Sequence, residues 1–172
     1  MDSVTAYISP AAALLGVLLG GLLTTRTQAT IHRQTIAAQT LKQKQDAAVE
    51  FLAAIRAFRR FAMYSPADFD EVAKTETSKG VVTFEGRAEY DVRMDTAAAR
   101  LMIVIHSDKM NALASEMRST LNSFLRSRAQ LGKGNVPNEV IRNLQHNEQR
   151  FAQLAVLELG GIEININPEQ YV

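Results

Sequence analysis

Three histidines, His32, His106 and His146, are the first candidates for metal or acid–base chemistry. None has Glu or His three or four residues away, the spacing that places two metal ligands on one helix face. His106 precedes Ser107 and Asp108, the residue types of a hydrolytic triad, but neighbouring residues rarely converge on one reaction centre. We therefore expect His106 at a helix end and the other two histidines in solvated, polar segments.

A group of acids offers a second candidate site: Glu85, Glu89, Asp91 and Asp95. Glu85 and Glu89 are four residues apart, as are Asp91 and Asp95. On a helix the two members of each pair share a face, where two carboxylates can bind a divalent cation or transfer a proton. Three arginines are interspersed with them: Arg87, Arg93 and Arg100. This mixture favours an exposed surface of ion pairs. We predict no catalytic residue, no cofactor and no metal site.

The short motifs of nucleotide-binding and hydrolytic enzymes do not occur in this sequence. The segment Leu131–Asn135, with Gly132 and Gly134, is nearest to a phosphate-binding loop. It lacks the required glycine spacing and follows a predicted helix rather than a strand, so we interpret it as a turn. The chain has no Cys, which excludes disulfides, thiol nucleophiles and Cys-ligated metal clusters.

The composition restricts the classes of partner. A chain of 172 residues with 47% hydrophobic and 22% charged residues suits one folded domain with an appendage. It has no Trp and 6% aromatic residues, which argues against a stacking platform for single-stranded nucleic acid. Its net charge of +1 does not favour electrostatic capture of nucleic acid. We expect no direct nucleic-acid binding.

The N-terminal segment is typical of a membrane anchor. Ser3–Thr25 carries no charge and is rich in Ala, Leu and Gly, and about 20 such residues cross the hydrocarbon core as a helix. Pro10 is compatible with this because it lies near the helix start. A cleaved signal peptide needs basic residues first, whereas Asp2 is the only charged side chain here. We predict a permanent transmembrane anchor over residues 1–25.

Basic residues after the span predict its orientation. They are Arg26, Arg33, Lys42 and Lys44. The positive-inside rule then places the N-terminus outside and residues 26–172 in the cytoplasm. Within the span, small residues recur every four positions at Ala12, Gly16, Gly20 and Thr24. Such a stripe lets two membrane helices approach closely, so it is a candidate self-association face.

The next part of the chain predicts a long helix. Residues 26–46 are mostly polar and predict a helical stalk. From residue 47 an apolar stripe follows helical spacing, at Ala48, Leu52, Ile55, Phe58 and Ala62. In the sequence Phe58-Arg59-Arg60-Phe61, helical geometry predicts that the aromatic residues face inward and that Arg59 and Arg60 reach solvent or lipid headgroups.

Breaks in the pattern predict the remaining elements. Ser65-Pro66 stops one helix and favours the start of another. Thr75–Gly80 is a predicted loop, and residues 81–84 form either a short extended piece or the approach to a helix. A helix is expected over about 86–106, with four buried residues: Val92, Leu101, Val104 and Ile105.

The last two helices have the clearest boundaries. Ser107-Asp108 predicts an N-terminal cap, and an amphipathic stripe follows it at Met110, Leu113, Met117, Leu121, Phe124 and Arg128. Gly132 should end that helix. Pro137 opens the last helix, which runs to Gly160-Gly161 with an apolar stripe at Val140, Leu144, Phe151, Leu154 and Ala155. The tail, residues 162–172, alternates Ile with polar residues and is a candidate strand.

The predicted fold is all-α. An N-terminal transmembrane helix continues into the long first helix of an up-and-down cytoplasmic bundle, because short breaks favour antiparallel neighbours. The bundle covers residues 47–161. One alternative for the short Gly-rich span is a holin-like or toxic small membrane protein. Another is a helical-bundle enzyme or ligand sensor that uses the acids at 85–95.

The N-terminal architecture also resembles that of a known group of proteins. The span ending in Thr24-Thr25-Arg26 and the segment Phe51–Arg60 are similar to small single-span, helix-rich actinobacterial membrane proteins, some of them plasmid-encoded. The resemblance implies a membrane-anchored scaffold or accessory protein that acts through protein–protein contacts, and in a plasmid setting it implies a role in conjugation. The expected partners are the lipid bilayer and either a second copy of the chain or another membrane-associated protein.

Overall fold

The computed structural model describes residues 5–66, 68–72 and 81–160, with the backbone alone for residues 5–23, 25, 26, 71 and 72. The described residues form four helices and one two-stranded hairpin. In chain order these are α1 (Thr5–Tyr64), β1 (Asp70–Val72), β2 (Val81–Thr83), α2 (Arg87–Val104), α3 (Asp108–Leu131) and α4 (Asn138–Leu159). The all-helical prediction is thus confirmed. The predicted loop at residues 75–80 and the predicted strand in the tail lie outside the described residues.

The chain divides into two compact units, residues 1–42 and 43–172. In the first unit the backbone of α1 is continuous from Thr5, and the described side chains from Thr27 to Lys42 are all exposed. The hydroxyls of Thr35 and Thr40 donate to the carbonyl oxygens four residues back, both at 2.9 Å. This local bonding satisfies polar groups without any tertiary partner.

The predicted membrane anchor, residues 1–25, includes the start of α1. Within it, Thr24 is the only residue whose side chain is described. None of the helices, as far as their residues are described, contains a stretch long and apolar enough to cross a bilayer.

Helix α4 runs antiparallel to α1 and to α3, as two polar contacts in each pair of helices show. Between α1 and α4, the side-chain amide of Gln45 donates to the carbonyl oxygen of Gly160 at 2.6 Å, and Arg59 pairs with Glu148. Later residues of α1 therefore contact earlier residues of α4, so the two helices are antiparallel. Polar contacts of Glu116 with Arg150 and of Thr120 with Asn147 give the same direction for α3 and α4.

The core of the second unit is built from the predicted apolar stripes. All five stripe residues of α1 and all six of α3 are buried. In α4, Leu144, Phe151 and Ala155 are buried, whereas Val140 and Leu154 are half-buried at the margin. Phe51 and Phe151 meet at the centre with ring centroids 5.2 Å apart. Periodicity identified these faces because each helix has one dominant apolar stripe.

The predicted ends of α3 and the predicted start of α4 are also confirmed. The hydroxyl of Ser107 accepts a hydrogen bond from the backbone N–H of Met110 at 3.3 Å, which satisfies one free donor of the first turn of α3. Gly132 follows α3 with a φ of 81°, and α4 begins directly after Pro137. These ends depend on local chemistry, and local chemistry is legible in the sequence.

The predicted helix restart at Pro66 is wrong. Residues 68 and 69 have no regular structure, and β1 then pairs antiparallel with β2, Glu71 lying opposite Val82. Phe69 and Val82 are 8% and 4% exposed, so the hairpin region is attached to the bundle by these buried apolar residues. Burial of two separate residues overrides the helix-start signal of Ser65-Pro66.

One predicted core residue of α2 is also wrong. Val92 is 66% exposed, and the buried residues of the helix are Met94, Ala97, Ala98 and Leu101. Val104 is half-buried, and Ile105 is buried just beyond the helix. Val92 and Leu101 lie nine residues apart, which is half a turn out of phase on a helix, so they cannot share a face.

Candidate functional site

An open cleft of about 500 Å³ lies between β2, the start of α2 and one side of α3. Its polar lining consists of Arg87, Ser115, Arg118, Ser119, Asn122, Ser123 and Arg126. All but Arg87 come from α3, where steps of three and four residues bring them to one side of the helix. The opposite side of α3 carries the buried stripe, so one helix supplies both the core and the cleft.

Three arginines line the cleft: Arg87, Arg118 and Arg126. The Nε of Arg87 lies 2.7 Å from the Oδ2 of Asp91, one turn along α2. Arg118 forms an ion pair with Asp95. Neither carboxylate lines the cleft, so both hold the guanidinium groups from outside it. The guanidinium groups and the hydroxyls of the lining are hydrogen-bond donors, which suits a small anion.

The chemistry that the lining supports is binding. Its described residues supply guanidinium, hydroxyl and amide groups beside the apolar Val81, Val82 and Leu125, and they include neither carboxylate nor imidazole. A general acid or base would have to come from elsewhere. The volume lies within the usual range for small-molecule sites.

A second, smaller cleft of about 380 Å³ runs between α3 and α4. The exposed His146 is at its margin, and Asn147 donates through Nδ2 to the hydroxyl of Thr120 at 3.1 Å. Arg150 and Glu116 form an exposed ion pair with atoms 3.3 Å apart. Polar side chains of α3 and α4 contact each other across this cleft and so join the two helices.

A buried ion cluster connects α1 to α4. Glu148 is 2% exposed and lies near Arg59, with the Nε of Arg59 and Oε1 of Glu148 2.9 Å apart, and near Arg56, whose Nε is 3.2 Å from Oε2. Burial raises the pKa of Glu148 above its ordinary value of 4.5, although the charges and hydrogen bonds of the two arginines act to lower it. The prediction that Arg59 reaches solvent or headgroups is therefore wrong, whereas Arg60 is exposed.

The predicted acidic cluster does not form one site. Glu85 and Glu89 are exposed, and Asp91 and Asp95 are each engaged by an arginine. Arg100 pairs with Glu50 of α1. Within the described part of the chain, no three metal-ligating side chains come together. The prediction of an exposed, ion-paired surface is confirmed by ion pairs for Asp91, Asp95, Arg87 and Arg100, and by exposure alone for Glu85, Glu89 and Arg93.

The remaining predicted residues fall into two groups. His32, His106, Thr24, Arg33 and Lys42 are exposed, and Lys44 is half-buried. The side chains of Ala12, Gly16, Gly20 and Arg26 lie outside the described residues. The self-association stripe and the membrane-proximal basic group therefore remain predictions.

A surface that the sequence analysis missed lies on α2. Its outer face is defined by five exposed residues: Ala88, Val92, Thr96, Ala99 and Ile103. Val92 and Ile103 are 66% and 73% exposed. The steps of four, four, three and four residues are those of a packed helix face. Helix α2 thus has a second stripe, apolar except for the hydroxyl of Thr96, on the side opposite its buried one. Because apolar residues lie on both faces of α2, neither stripe stands out in the periodicity of the sequence.

Comparison with known proteins yielded no match to any protein-family model, curated protein or solved structure.

Proposed function

We propose that this protein is a membrane-anchored helical adaptor. Residues 1–25 form a permanent span with the N-terminus outside, and the bundle holds partner proteins at the cytoplasmic face. The uncharged segment Ser3–Thr25 and the basic residues that follow it support the anchor and its orientation. The resemblance to plasmid-encoded membrane proteins suggests conjugative transfer as one setting, in which DNA would be reached through a partner protein.

The observation that carries the adaptor function is the outer face of α2. A helix in a soluble bundle normally has one apolar stripe, with charged and strongly polar residues on the other side. Here the outer face exposes Val92 and Ile103 together with two alanines and Thr96, and none of its five residues is charged. Contiguous exposed apolar surface marks protein contact sites, and an enzyme would not require it.

Membrane fractionation and topology mapping test the anchor. Because the chain has no Cys, Asp2→Cys and Lys133→Cys each introduce one thiol for a membrane-impermeant maleimide. Both variants should remain in carbonate-washed membranes. Asp2→Cys should be labelled in intact cells, and Lys133→Cys only after permeabilisation. Extraction by carbonate, or labelling of Lys133→Cys in intact cells, would contradict the proposal.

The donor groups that line the cleft, guanidinium and hydroxyl, favour a second candidate function, a sensor of small anions. Titration with inorganic phosphate, pyrophosphate and citrate should then raise the melting temperature, because ligands stabilise the state they bind. Arg126→Gln should reduce this rise, and Arg93→Gln, an exposed arginine of α2 away from the cleft, should not. An equal rise in both variants would indicate a general salt effect and reject the sensor.

A further inference from the structure

We infer that the cleft between β2, α2 and α3 binds an elongated dianion, with one oxyanion group held at Arg118 and a second one held at Arg87. The inference rests on the proposed sensor of small anions and deepens it. It assigns the number of charged groups on the ligand and the distance between them.

The arginines of the cleft lie at its two ends. Arg118 and Arg126 both belong to α3, and the eight residues from one to the other extend about 12 Å along the helix axis. Arg87 precedes Asp95 by the same number of residues on α2, and Asp95 pairs with Arg118. The short connection at residues 105–107 makes α2 and α3 antiparallel neighbours, so Arg87 lies at the level of Arg126. One end of the cleft therefore carries Arg118, and the other carries Arg87 and Arg126.

Two of these arginines keep hydrogen-bond donors for a ligand. The Nε of Arg87 donates to Oδ2 of Asp91 at 2.7 Å, and Nη2 of Arg118 donates to Asp95. Among the described residues, no other group accepts a hydrogen bond from either guanidinium. A guanidinium has five N–H donors in a fixed fork, so most donors of both groups are available. Neither aspartate lines the cleft, so a ligand can bind without displacing them.

The surroundings of the two guanidinium groups favour a ligand that reaches both. The side chains of Arg87 and Arg118 are 17% and 36% exposed, so both are partly withdrawn from water. A carboxylate or phosphate can accept two parallel bonds from one guanidinium. Because Asp91 and Asp95 balance these two charges, a single oxyanion gains little net attraction. A ligand with two oxyanions gains more, since its second contact is made within an already formed complex.

The middle of the cleft suits the chain that would join two acidic groups. Ser119 and Asn122 supply hydroxyl and amide groups between the two ends, and Val82 and Leu125 supply apolar surface. The volume of about 500 Å³ is in the range of small organic ligands and larger than a single oxyanion needs. The ligand class is therefore a chain with a carboxylate or a phosphate at each end.

Calorimetric titration of the purified full chain with matched organic acids tests this inference. The helical rise requires oxyanions roughly 10 Å apart, a separation that suberate approaches and the shorter succinate does not. Suberamate, the monoamide of suberate, keeps the length and removes one charge. At constant ionic strength, suberate should bind about tenfold more tightly than suberamate or succinate, because it alone engages both arginines. Hexamethylene bisphosphonate, with phosphonate ends on a similar chain, distinguishes the two kinds of end group.

Variants at each end test whether both ends hold the ligand together. In Arg118→Gln, and equally in Arg87→Gln, suberate should bind only as tightly as suberamate, since one end alone remains. Arg93→Gln, at an exposed arginine of α2 outside the cleft, should keep the full difference. The two ligands are compared on the same variant, so a general change in its stability does not affect their ratio.

The outcomes separate the elongated ligand from the sensor itself. Arg126-dependent stabilisation by phosphate and citrate, with suberate no tighter than suberamate, would overturn the elongated ligand and leave a sensor of small anions. A suberate preference that persists in Arg118→Gln or in Arg87→Gln would overturn simultaneous contact with both. Tighter binding of the bisphosphonate than of suberate, lost in both variants, would support the two-ended site with phosphate ends. Absence of Arg126-dependent stabilisation by every anion tested would reject the sensor and this inference together.

Discussion

The guanidinium Nε of Arg59 lies 2.9 Å from Oε1 of Glu148, and neither side chain is more than 4% exposed. The two residues come from different helices and lie 89 positions apart in the chain. An ion pair at this depth fixes the register of α1 against α4, because a shift of either helix would leave a buried charge without its partner.

Replacement of one member of this pair should destabilise the bundle strongly. Arg59→Met leaves the buried carboxylate of Glu148 with Arg56 alone, and we expect the free energy of unfolding to fall by about 3 kcal/mol. Urea denaturation followed by circular dichroism measures this. Arg60→Met, at the exposed neighbouring position, should change stability by less than about 0.5 kcal/mol.

The double variant separates pairing from packing. Arg59→Met with Glu148→Leu removes both charges and should recover most of the lost stability, because a well-packed apolar pair can replace a buried ion pair. A double variant as unstable as Arg59→Met alone would show that the guanidinium stabilises the bundle through other contacts.

The pKa of Glu148 predicts a direction for the pH dependence of stability. Burial raises this pKa above 4.5 in the folded protein, so above that pH the folded state binds more protons at Glu148 than the unfolded chain does. The contribution of Glu148 to the free energy of unfolding is therefore fully present below pH 4.5 and decreases as pH rises through the raised pKa. Glu148→Gln cannot titrate, so the stability of the wild type relative to this variant should decrease along a pH series above 4.5. A relative stability that increases with pH would contradict the raised pKa.

A cation–π contact holds the segment before β1 against α3. The guanidinium carbon of Arg128 lies 4.4 Å from the ring centroid of Phe69, and Nη2 donates to the carbonyl oxygen of Ser65 at 3.5 Å. Arg128→Met keeps an apolar stem but loses both contacts, so we expect a loss of about 1–2 kcal/mol. Amide hydrogen exchange should accelerate at Phe69 more than in α4. Arg142→Met, at an exposed position of α4, should leave the exchange at Phe69 unchanged.

Two glycines with similar φ values provide a matched pair. Gly86 and Gly134 have φ values of 81° and 85°, which non-glycine residues rarely adopt. A Cβ at Gly86 would lie 3.1 Å from Cζ of Phe61, whereas no heavy atom lies within 4 Å of one at Gly134. Gly134→Ala should therefore cost about 1 kcal/mol of backbone strain, and Gly86→Ala about 2–3 kcal/mol. Equal costs in thermal denaturation would show that Phe61 moves aside freely.

The sequence predicted best where one structural signal acted alone. Every stripe residue of α3 from Met110 to Arg128 is buried, because the helix has a single apolar face and caps at both ends. The start of α4 after Pro137 was predicted correctly because a proline at the start of a helix is also a local signal. At Ser65-Pro66 the local signals favoured a helix, and the burial of Phe69 and Val82 produced a hairpin instead. Strands of three residues are too short to show the alternation that identifies a strand.

The candidate sites were less accessible to sequence analysis. The cleft is formed by Arg87 and a stripe of α3 whose Ser and Asn residues are also normal for a solvated face. The outer face of α2 was hidden because Val92 and Leu101 were assigned to one face. Phase along the helix, worked out residue by residue, is the signal that could have separated them.

The sequence by itself determined the helical content, the ends of α3 and α4 and the positions of most core residues, because caps, turns and apolar periodicity act within a few neighbouring residues. Only the tertiary structure decided which face of α2 is buried and that Arg59 and Glu148 meet out of water. Burial depends on which elements become neighbours in space, and a charge is retained in the interior only when a distant residue arrives to pair with it.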